Sequence, residues 1–66
     1  MISYDSNLQR ALEKSQIEWV KLRNEQCSLE AEIYGRQADQ YLIEQTCLNY
    51  LNKQRTLYLN SLETAN

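Results

Sequence analysis

A 66-residue chain with no proline and a single glycine, Gly35, close to its middle has one obvious place to turn. Proline and glycine are the main breakers of regular structure, so the stretches on either side of Gly35 are free to run as long helices. Between Asp5 and Tyr34, Leu8, Leu12, Trp19, Leu22, Leu29 and Ile33 recur at sums of three and four, the spacing of an amphipathic helix. Asp5, Ser6 and Asn7 all have side chains able to cap its first backbone N–H groups. Beyond the glycine a second stripe reads Tyr41, Leu48, Leu51, Tyr58 and Leu62, joined by Cys47 and Leu59, with Asp39 placed in the first turn near the positive helix end. The expected fold is all-α, an antiparallel hairpin within one small domain, residues 1–66. A helix over about 6–34, a hinge over about 35–39 and a helix over about 40–63 make it up. Gly35 is expected to end the first helix in the left-handed conformation that costs glycine nothing. The competing arrangement is one continuous helix through Gly35, since one interior glycine costs only about 1 kcal/mol.

Cys27 and Cys47 weigh for the hairpin. Their midpoint is residue 37, inside the hinge, and a mirror there sets residue i opposite 74 − i. Leu12 then faces Leu62, Trp19 faces Arg55, Arg23 faces Leu51 and Ile33 faces Tyr41, while Glu30 opposite Glu44 is a misfit expected to point to solvent. Stripes found from periodicity thus meet in a register found from the cysteines. An intrachain bond would close a loop of about 20 residues and contribute roughly 3 kcal/mol in the chain-entropy model. Two free, buried cysteines and an interchain bond are the alternatives. With no histidine and no second pair of cysteines, half a tetrahedral shell is all that a zinc ion would find, and no metal or other cofactor is expected.

The composition narrows the function. Nine acidic against seven basic residues give a net charge of −2 and a pI near 4.9, so no basic surplus is available for nucleic acid. Apolar runs are short, and no membrane span is expected. Glu13, Glu18, Glu25 and Glu32 read as a solvated helix face, and Ser6, Ser15, Ser28 and Ser61 have no histidine base, so no catalytic set is formed and the chain is not expected to be an enzyme. Ten leucines in a chain of mean hydropathy −0.70 argue for a folded module whose core is small. Arg55 is placed to stack on Trp19, and Arg23 and Arg55 could also meet Glu18, Glu25, Glu30 or Glu44. Tyr50, off the main stripe, and Tyr34, near the hinge, are candidates for a partner surface. Met1 to Asp5 form neither a charged n-region nor an apolar h-region, so the start alone fits a cytosolic chain or one whose signal peptide is absent.

The run LEKSQIEWVKLRNEQC, with Leu12, Trp19, Arg23 and Cys27, resembles the core of the small bacterial envelope domain named after the N-terminal part of the lysozyme inhibitor LprI. The run CLNYLNKQRTLYL, with Cys47, Leu48, Leu51, Arg55 and Leu59, is similar to that family's closing helix. Asn52 departs from the family, which often has threonine there, and members usually carry a further helix upstream of the tryptophan helix. The resemblance implies an all-helical, secreted or periplasmic module with Cys27 bonded to Cys47, binding a protein, lysozyme being the implied target. A second copy could stand in for the upstream helix, giving a homodimeric four-helix bundle. The alternative function is a self-associating structural hairpin, in the envelope or the cytoplasm, with no separate target.

Overall fold

The computed structural model describes residues 6–64, and in it the chain forms two helices, α1 (Ser6–Tyr34) and α2 (Gln40–Thr64), folded back on each other. Cross-helix partners run in opposite directions: Cys27 bonds Cys47, Arg23 reaches Asn52 and Arg55 reaches Gln16. Their residue numbers sum to 74, 75 and 71, the signature of an antiparallel pair turning near residue 37. The continuous helix is excluded. Of the three candidate caps at the start of α1, Asp5 lies outside the described residues, while Ser6 and Asn7 are already helical.

The connection is tight. Gly35 N–H still donates to the Ala31 carbonyl at 3.0 Å, Asp39 and Gln40 N–H both donate to Arg36 O at 2.7 and 3.1 Å, and Ile43 N–H donates to Asp39 O at 3.0 Å. Asp39 is therefore the residue whose carbonyl receives the first bond of α2, a cap just ahead of the first turn and not a member of it. Gly35 does not adopt the left-handed conformation expected of it, since no glycine here has positive φ. Its role is room. A Cβ at this position would stand 2.7 Å from Ala31 O, 2.9 Å from Ile43 Cδ1 and 3.1 Å from Gln40 Cγ, so only glycine lets the start of α2 lie against the end of α1. Gly35→Ala is accordingly expected to cost about 1–3 kcal/mol through overpacking, read as a lower urea midpoint with an unchanged slope.

The molecule measures 47 × 20 × 12 Å, so its short dimension is a single helix diameter. Only Cys27, at 0% exposure, and Ala31 are buried among the described residues. The seam is lined by Leu12, Gln16, Trp19, Val20, Arg23 and Cys27 from α1, and Leu48, Leu51, Arg55, Leu59 and Leu62 continue it on α2. This departs from the expected stripe. Leu22, Leu29 and Ile33 are exposed, as are Tyr41 and Tyr58, and the layer of Ile33 on Tyr41 does not form, the two being 61% and 76% exposed. The crosslink decides which face is inward: Cys27 and the small Ala31 set the closest approach, and Leu22, Leu29 and Ile33 then fall to one side or the rear of α1.

Candidate functional site

Cys27 and Cys47 lie 5.4 Å apart at Cα, a separation the bond accepts without backbone movement, and no described cysteine is free. Two turns from the crosslink toward the open end, Trp19 has two guanidinium groups against its ring. Arg23 Cζ is 5.3 Å and Arg55 Cζ 5.4 Å from the indole centroid, and Arg55 is also 5.4 Å from the Tyr58 ring. Planar cations against an electron-rich ring attract without a carboxylate. Neutral acceptors, and not the carboxylates within reach in the helical projection, take the arginine N–H groups: Arg23 donates to Asn24 Oδ1 at 3.0 and 2.7 Å and to Asn52 Oδ1 at 2.9 Å. Arg55 donates to Gln16 Oε1 and Ser15 Oγ, both at 3.1 Å. The sequence marks Asn52 as a departure from the family and Ser15 as a serine without a base, but it assigns neither these two nor Asn24 and Gln16 as partners of the arginines. The mirror about residue 37 points to Asn52 as a near neighbour of Arg23, but an amide gives no periodic signal of its own.

Glu30, expected in solvent, is half-buried, and one carboxylate oxygen lies 3.1 Å from Cys47 Sγ. A disulfide sulfur has no proton to donate, so this is a contact and not a hydrogen bond. Glu30 has no donor among the described residues. Glu44 turns to the other side of the seam.

Among the described residues, recesses flank the seam on both sides. A groove of about 590 Å³ is lined by Glu30, Leu42, Ile43, Cys47, Tyr50 and Leu51, among others. Leu51 also lines a shallower recess of about 270 Å³ with Trp19, Gln54, Arg55 and Tyr58, so the two follow one another along the same side. A third, of about 230 Å³, is formed by Ser28, Ala31, Glu32, Gln40, Tyr41 and Glu44. Successive residues on a helix point about 100° apart, so Glu30 with Ala31, and Ile43 with Glu44, straddle the seam and put this polar recess on the opposite side. Tyr34 and Tyr50 are exposed at 75% and 61% but do not share a surface: Tyr50 belongs to the apolar groove and Tyr34 to the hinge end.

No group of three or more His, Cys, Asp or Glu among the described residues is placed to hold a metal ion, and no described helix is long and apolar enough to cross a membrane. Residues 3–59 match the family model described as lysozyme inhibitor LprI. No curated protein and no solved structure matches the chain.

Proposed function

Because this chain belongs to the lysozyme inhibitor LprI family, we propose that it is a non-enzymatic, protein-binding module of the bacterial envelope, periplasmic or secreted, whose target is lysozyme. The family match carries this reading, since it spans both cysteines, Trp19, Arg23 and Arg55. A disulfide-bonded pair fits an oxidising compartment, and a stapled hairpin enters a complex with little conformational freedom left to lose. The contact surface we assign is the polar recess near the hinge, where Glu32, Glu44 and Tyr41 come together with Tyr34 close by in the chain. Carboxylates speed encounter with a basic enzyme, and exposed tyrosine rings supply area at low entropic cost.

The test is titration of lysozyme activity on a cell-wall suspension with the disulfide-intact chain. Activity should fall with added protein and level off near stoichiometric amounts, and Glu32→Lys with Tyr34→Ala should weaken inhibition by about tenfold or more. Unchanged activity at a large molar excess would discard lysozyme as the target.

A further inference from the structure

We propose that the apolar side of the hairpin, from the 590 Å³ groove through Leu51 to the Trp19–Arg55 recess, is the interface with a second copy of this chain. Area is the first argument. The chain exposes 5556 Å², whereas a compact monomer of 7.8 kDa exposes about 4,400 Å² by the usual mass scaling. The surplus of roughly 1,200 Å² per chain, if covered on both copies, gives about 2,400 Å² in total, inside the range of stable homodimers.

Shape and charge are the second. Leu51 lies between the groove and the recess, so a two-fold axis passing near it and across the helices lays the groove of one copy over the recess of the other. Tyr58 and Trp19 then sit against Leu42 and Ile43. In the same arrangement Glu30, which has no donor among the described residues, meets Arg55, whose acceptors among the described residues are a neutral amide and a hydroxyl. Each copy thereby answers the other's unmatched charge twice over. The polar recess with Glu32 and Glu44 stays on the outer side, open to a different partner. This assignment stands independently of the lysozyme reading, because one is read from mass and the other from enzyme inhibition.

Sedimentation equilibrium of the disulfide-intact chain over about 1–100 µM should show a species of twice 7.8 kDa. Tyr50→Ser should raise the dimer dissociation constant by about tenfold or more, while Ile17→Ser, an exposed residue that lines neither recess of this side, should leave it unchanged. Glu30→Arg and Arg55→Glu should each give monomers, and the double exchange should restore the dimer, with far-UV circular dichroism confirming that each variant is helical. Monomer throughout the range, or a dimer indifferent to Tyr50→Ser and Glu30→Arg, overturns the proposal. So does a monomer whose Tyr50→Ser variant loses lysozyme inhibition, which would give this side to the target.

Discussion

Reducing the Cys27–Cys47 bond is expected to remove most of the helical signal of this protein at room temperature. Only Cys27 and Ala31 are buried among the described residues, so little apolar area is withdrawn from water within one hairpin, and helices in isolation are marginal. The crosslink closes a loop with a sequence separation of 20, for which the chain-entropy model gives about 3 kcal/mol. In a domain of this size each kcal/mol moves the melting temperature by about 4–8 °C, so the reduced chain should melt roughly 12–24 °C lower. Thermal melts by circular dichroism, with and without a phosphine reductant and on Cys27→Ala/Cys47→Ala at matched concentration, measure this. A reduced protein that melts within a few degrees of the oxidised one would show that the seam alone sustains the fold.

The second large effect is expected at Trp19. It is half-buried, yet it is the side chain against which both cross-helix arginines rest, Arg23 at 5.3 Å and Arg55 at 5.4 Å. Trp19→Ala removes the packing of a large ring, takes the indole from both guanidinium groups and leaves Arg55 only the Tyr58 ring, at a cost of about 2–4 kcal/mol, below the value for a fully buried tryptophan. Trp19→Phe, which keeps a smaller ring, should recover a good part of this. With the disulfide intact the loss should be local: the open end, beyond Trp19 and Arg55, should unwind while the segment between the cysteines and the hinge remains helical. Hydrogen exchange resolves the two. A uniform loss of protection along both helices would refute a latching role for this tryptophan.

Much of the fold is legible in the letters, for identifiable reasons. A lone glycine in a proline-free chain marks the turn, and two cysteines with a midpoint beside it carry the register, because an antiparallel pair obeys simple mirror arithmetic. Less legible is the face each helix turns inward. Steps of three and four connect Leu12 to Trp19, but steps of seven and four also connect Leu22 to Leu29 and Ile33, and periodicity does not rank one series above the other. Ranking them requires the contribution of small residues, and Ala31, which hydropathy counts hardly register, is one of the two buried positions. A glycine at a helix end suggests conformational freedom, whereas Gly35 matters for its lack of a side chain, a distinction that depends on where Ile43 and Gln40 stand. The candidate site was legible in its aromatic and cationic members, Trp19, Arg23 and Arg55. Its amide partners and the position of Glu30 depend on side-chain reach across the seam, which spacing along the chain does not encode.

The 12 Å short dimension has a consequence for how such a chain can change over time. In a thicker protein, mutations that tune recognition accumulate on an outer layer while an inner layer keeps the structure. A plate one helix deep has no such division of labour: Leu51, Trp19 and Arg55 hold the seam and also line the open recess beside it. Any drift toward a new partner on that side therefore alters the thermal robustness of the chain that carries it, and the crosslink is the one fixture that can absorb the difference.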